Sequence, residues 1–238
     1  MSSNVVGYNK IDLANTFSLV GLQFLDVGGD SKDIQNFTSD NNLPGLDGEG
    51  AFQTELRLWT GTGYKTLNWL GPNDGTALEA PELNSKWYDL DNDGLAVGEI
   101  GAGEAAWIKI PSGETASVTF SGEVPDGATT NLDVRLGFTL LANPFPVAMN
   151  VQSVQLSNTI PGLDGDGAFQ TELRRWTGTG YRTYGWLADG DGTALEAPEL
   201  NCKWYDLDGD QVANFEFRVG EGFWIVSPKA AGTVTFTK

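Results

Sequence analysis

Two short acidic runs hold the side chains best suited to chemistry. Asp89-Leu-Asp91-Asn-Asp93-Gly and Asp206-Leu-Asp208-Gly-Asp210-Gln place a carboxylate at every second position. That is the first half of a loop in which alternate side chains converge on one calcium ion. The complete loop needs a bidentate acid at its twelfth position, where this chain has Ile100, with Glu99 one residue short. The second run also has Gln211 where the sharp turn requires glycine, so neither run is an EF-hand. A looser calcium site remains open. On an extended strand Asp89, Asp91 and Asp93 would share a face at about 7 Å spacing. Each pair would repel by roughly 0.6 kcal/mol in water and about 2.4 kcal/mol at an effective dielectric of 20. Such a ladder demands a cation, a lysine or a turn that splays it. Asp47 and Glu49 in LDGEG, Asp164 and Asp166 in LDGDG, and Asp74, Asp189 and Asp191 extend the candidate set. Acids spaced by glycine supply the hard oxygens that suit calcium. The competing reading is that these Asp-Gly pairs simply form turns.

Aromatic side chains supply a second chemistry. Alternation along 52–59 puts Phe52, Thr54, Leu56 and Leu58 on one side, and Gln53, Glu55, Arg57 and Trp59 on the other. Trp59 and its counterpart Trp176 therefore share a face with polar residues, where they could stack on sugar rings; the competing reading is that tryptophans fill the core. Catalysis finds little support. Glu79 with Glu82, or Glu55 with Asp89, could form a glycosidase pair only at a set separation across a cleft. Histidine is absent, which removes histidine-based triads and His-ligated metals. Cys202 is the only cysteine and its counterpart is Ser85, so no intramolecular disulfide or zinc cluster forms and the residue reads as a small filler. No catalytic residue is assigned, and a non-enzyme is expected.

These residues belong to a chain that repeats itself. Pro44–Asp91 returns as Pro161–Asp208, shifted by 117 positions with 39 of 48 residues identical, and all 8 tryptophans fall into register. A period this long marks a duplicated domain rather than a solenoid. Runs rich in Val, Ile, Thr and aromatics, punctuated by Gly, Asp, Asn and Pro, predict an all-β fold of two tandem sandwich- or barrel-like domains. Expected strands lie near 4–13, 17–25, 52–59, 63–69, 86–90, 105–110 and 116–124, with helical turns at 30–40 and 76–84. The domains are expected at 1–124 and 132–238, joined by a short linker at 125–131. Within the repeat, Leu58 against Arg175 and Leu67 against Tyr184 mark surfaces that face different neighbours, or neutral drift.

The chain carries 32 acidic and 14 basic residues, a net charge of −18. That field disfavours nucleic acid and anionic membranes as partners. No apolar run is long enough for a membrane-spanning helix, so membrane insertion is not expected. Val6-Gly-Tyr8, Gly222-Phe-Trp-Ile225 and Val118-Thr-Phe-Ser-Gly-Glu-Val124 resemble the VGY, GFW-I/L-K and VTFSGEV segments of tandem β-repeat proteins that bacteria export; the first copy departs from the pattern with Ala105-Ala106 before Trp107. The resemblance implies an extracellular or cell-surface structural role and brings no activity. The expected function is a structural protein that self-associates into a filament or layer, tightened by calcium. Glycan binding through Trp59 and Trp176 is the alternative. The terminal strand from Asn4 to Leu13 could add to a neighbour's sheet edge, although pairing within its own domain is favoured.

Overall fold

The computed structural model describes residues 6–13, 17–38 and 42–238. Strands take 47% of the chain and helix 9%, which makes the fold all-β. It divides into two compact units, Met1–Pro125 and Asp126–Lys238.

The first unit contains β1 (Val6–Leu13), β2 (Phe17–Gly21), β3 (Ser31–Asp33), β4 (Glu55–Trp59) and β5 (Tyr64–Leu70). Then come β6 (Lys86–Asp89), β7 (Gly94–Leu95), β8 (Glu99–Gly101), β9 (Ala105–Lys109) and β10 (Ala116–Glu123). The main sheet has the order β2-β9-β4-β5-β6-β7, and the pairs β1-β10 and β3-β8 complete the unit. All pairings are antiparallel.

The second unit contains β11 (Thr129–Val134), β12 (Gly137–Ala142), β13 (Met149–Asn150), β14 (Val154–Leu156) and β15 (Glu172–Trp176). β16 (Tyr181–Leu187), β17 (Lys203–Asp206), β18 (Gln211–Val212), β19 (Glu216–Phe217), β20 (Gly222–Ser227) and β21 (Gly232–Thr237) follow. Its main sheet runs β12-β20-β15-β16-β17-β18, beside the sheets β11-β21-β14 and β13-β19.

The hairpins form for local reasons. Between β4 and β5, Thr60 N–H donates to Gly63 O at 2.9 Å, and Gly61 takes φ +99°, a turn geometry closed to most side chains. Expected helical turns occur as short pieces at Ile34–Asn36, Asp74–Ala77 and Pro81–Leu83. Strands β3, β7 and β8 have two or three residues, too few for alternation to reveal. The linker expectation needs correction, because 129–131 already belong to β11, which pairs with β21. The terminal strand pairs within its own unit, Val6–Leu13 against β10; residues 4 and 5 of the expected strand, and 39 and 40 of the expected turn, lie outside the described residues.

Each core is built around two indoles. Trp69 and Trp87 are fully buried with ring centroids 5.1 Å apart, and Trp186 and Trp204 repeat the pair at 5.0 Å. Leu58 packs against the first core. At the matching place Arg175 is balanced by Glu221 at 2.5 Å and lies 4.6 Å from the centroid of the Phe215 ring. Tyr184, in place of Leu67, meets the same Phe215 at 4.6 Å between centroids with the rings tilted by 34°. These differences are thus compensated inside the second unit and do not mark an outward surface.

One amide side chain ties the layers together. Gln35 Nε2 donates to the carbonyls of Trp87 and Ala96, both at 2.8 Å, and its Oε1 accepts from Trp87 N–H at 3.0 Å. Gln152 makes the same three bonds to Trp204 and Ala213. Trp87 O also accepts from Ala96 N–H at 2.9 Å, so the amide bridges two facing backbone segments whose groups beside a buried indole cannot turn to water. Gln35→Leu and Gln152→Leu are each expected to lower the stability of their unit by about 3 kcal/mol, read as a fall in urea midpoint with unchanged slope.

Candidate functional site

The aspartate ladder does not form. β6 ends at Asp89 and β7 begins at Gly94, so Asp91 and Asp93 lie in the connecting turn instead of on an extended face. Asp89 is 1% exposed and pairs with Lys65 Nζ at 3.0 Å, while its oxygens accept from Asn92 Nδ2 at 2.6 Å and Asp91 N–H at 3.1 Å. Hydrogen bonding from Asn92 and then Lys65 holds the Asp89 carboxyl below the ordinary range. Asp93 takes φ 48° and accepts from Tyr88 OH at 2.6 Å. In the second copy Asp206 pairs with Arg182 at 2.5 Å and accepts from the N–H groups of Asp208 and Gly209. Asp210 accepts from Tyr205 OH at 2.8 Å. Of the three resolutions open to such a ladder, the molecule combines a cation of its own with a turn.

The glycine-spaced acids also close turns. Asp47 accepts from Glu49 N–H at 2.9 Å and Ala51 N–H at 2.8 Å, with Ala51 the stronger influence lowering its carboxyl. Asp164 does the same for Asp166 and Ala168, and the Asp166 side chain faces solvent. Asp74 Oδ2 accepts from Leu46 N–H at 2.7 Å and Gly71 N–H at 2.6 Å, stitching two loops together. A Cβ on Gly45 would collide with that carboxylate and with Gly71 N. Asp191 repeats the stitch on Leu163 and Ala188. Among the described residues no three acidic, histidine or cysteine side chains are placed to hold one metal.

The tryptophans divide into three kinds. Trp69, Trp87, Trp186 and Trp204 are core. Trp107 and Trp224 are 7% and 6% exposed, yet lie outside the two core clusters, on the opposite side of their sheets. Trp59 and Trp176 are half-buried on that same side, as the alternation predicted, each in edge contact with a tyrosine 5.1 Å away, Tyr64 and Tyr181. Beside them Phe17 meets Trp107 edge-on at 6.2 Å, and the Arg57 guanidinium lies 5.1 Å from the Phe17 centroid. Phe138, Trp224 and Arg174 repeat this arrangement at 5.8 Å for both contacts. Arg57 and Arg174 are fixed by Glu55 and Glu172 two residues before them. Single-strand alternation could find Trp59; Phe17 and Trp107 come from β2 and β9, whose neighbourhood only sheet order reveals.

The first unit also has a feature that the second lacks. Lys32 is 5% exposed, paired with Asp26 at 3.2 Å and donating to Ser121 O at 2.7 Å. Both residues line an open cavity of about 310 Å³ with Gln35, Asn36 and Thr38. The register of β3 on β8 and of β13 on β19 gives this place to Met149 in the second unit. Burial works to raise the Asp26 carboxyl, but bonds from Asp33 N–H, Asn36 and Lys32 hold it below its usual value. Cys202 sits half-buried at φ 56°, where burial pushes its thiol up.

No protein-family model, curated protein or solved structure compared with the chain matches it.

Three outcomes follow from this geometry. Exhaustive chelation is expected to leave the thermal midpoint unchanged relative to millimolar calcium, since Asp89 and Asp206 are already neutralised from within. Asp26→Ala, which strands a buried ammonium, is expected to cost about 2 kcal/mol, whereas Lys32→Met should change stability by less than about 1 kcal/mol; paired denaturation curves measure both. Depressed carboxyls at Asp26, Asp47, Glu55 and Asp89 contribute stability that is present above the unfolded values near pH 4 and is lost as pH falls through the folded ones. The thermal midpoint should therefore stay level from neutral pH down to about pH 5 and fall progressively below about pH 4.

Proposed function

We propose that the chain is a non-enzymatic structural protein of the bacterial cell surface or surroundings, built from two copies of one rigid β unit and able to associate with further copies of itself. The observation that carries this reading is that the same carboxylates in both units hold turns and ion pairs. Asp47, Asp74 and Asp89 do so in one unit, and Asp164, Asp191 and Asp206 in the other. Self-association draws support from β1, which pairs with β10 on one side and with no other strand among the described residues. Val6 and Tyr8 on that strand are 66% and 79% exposed. An open strand edge with exposed apolar side chains is suited to adding a neighbouring strand. A net charge of −18 opposes close approach until salt screens it.

The measurement is sedimentation of the whole chain at low and high ionic strength, together with fractionation of cells that produce it. Larger species should appear as salt rises, and Tyr8→Lys should suppress them. Recovery in an external or envelope fraction is expected. A chain that stays monomeric at every salt concentration ends the assembly reading, and recovery only from cytosol ends the surface reading.

A further inference from the structure

We infer that the outward face of each main sheet is a binding site for the chains of a neutral pyranose polysaccharide. The inference goes beyond the structural role proposed above and does not rest on it. In the second unit the site runs across β12, β20, β15 and β16, adjacent in that order. Phe138 meets Trp224 edge-on, Trp224 Nε1 donates to Tyr181 OH at 3.1 Å, and Tyr181 meets Trp176 at 62° between planes. Arg174 stands opposite Trp224 in the register. Four strands at their usual spacing extend this row over roughly 14 Å, long enough to seat more than one sugar ring. The rings are locked by their neighbours, so little ordering is needed when a ligand arrives.

The two copies keep the aromatic part of this face. In β2 and β9 the paired inward residues are Val20 and Ala106; in β12 and β20 they are Leu141 and Phe223. On the other side of these strands Phe17, Leu19 and Trp107 recur as Phe138, Leu140 and Trp224, while Lys109 beside Phe17 gives way to Val226 beside Phe138.

The composition of the face selects the occupant. Tyr64 and Tyr181 are each 45% exposed, offering apolar ring surface beside a hydroxyl. Glu55 with Arg57 and Lys109, and Glu172 with Arg174, set fixed polar groups at the edge of the aromatics. Sugar hydroxyls both give and take hydrogen bonds, and the C–H side of a pyranose is apolar, so a few fixed polar groups on an aromatic floor match it. An acidic polymer is disfavoured by the net charge of −18.

Affinity electrophoresis of the intact chain tests this, in gels containing hydroxyethyl cellulose, xylan, galactomannan or soluble starch, with alginate as the acidic comparison. Retardation by at least one neutral polymer is expected and none by alginate. Tyr64→Ala with Tyr181→Ala should weaken it about tenfold or more, each single change should weaken it partially, and Tyr8→Ala on β1 should leave it intact. If the alanines disturb folding, Tyr64→Leu with Tyr181→Leu keeps the bulk and must show the same loss. Absence of retardation across the neutral panel, retardation by alginate alone, or undiminished binding in a folded double variant overturns the inference.

Discussion

Buried main-chain groups must be hydrogen-bonded, and in each unit of this protein one glutamine supplements the strands in meeting that requirement. Gln35 sits on a single helical turn yet completes three bonds with the backbone of Trp87 and Ala96. It therefore fixes the distance between the small β3 layer and the main sheet, and with it the space in which Trp69 and Trp87 pack. An interior built from indoles tolerates little sliding, because interlocked rings occupy defined positions. The outward face inherits this rigidity through β4, β5 and β9.

The carboxylates illustrate how the same residue type serves opposite ends. An aspartate followed by glycine can present oxygens to a foreign cation, or it can turn them inward on the next N–H groups. Asp47 and Asp164 do the latter, each accepting two N–H bonds on Oδ1, while Asp74 and Asp191 accept two on Oδ2 from residues that precede them in the chain. Asp89 and Asp206 are buried only because Lys65 and Arg182, in the adjacent strand, arrive to meet them. The large negative charge is thus carried mainly by a solvated rim, and the folded interior is close to neutral.

Much of this organisation can be read in the amino-acid order. The duplication, the hairpin at Thr60-Gly61-Thr62-Gly63 and the outward direction of Trp59 all follow from spacing within a single strand or turn. The aspartate ladder misled because its regular alternation suggests extension, while the preference of Asp-Leu-Asp-Asn-Asp-Gly for a turn ended β6 at Asp89. Nothing local announces that Lys32 lies under Asp26, that Gln35 reaches Trp87, or that Phe17 joins Trp107. The last two contacts join segments far apart in the chain, and only the completed fold brings them together.

The near-identity of the two copies also shapes how the polypeptide reaches its native state. A β4 segment emerging beside β16 meets a partner that shares its tyrosine, threonine, tryptophan and leucine with β5, so exchanged hairpins are a kinetic trap natural to tandem duplicates. The compensated positions bias the outcome. Arg175 and Tyr184 both lie against the Phe215 ring, and the matching place in the first unit is Gly98, which offers them none. Leu58 in that place would leave Glu221 without its counter-ion. The few unshared inward side chains therefore act as a proofreading code, letting each half recognise itself before its twin.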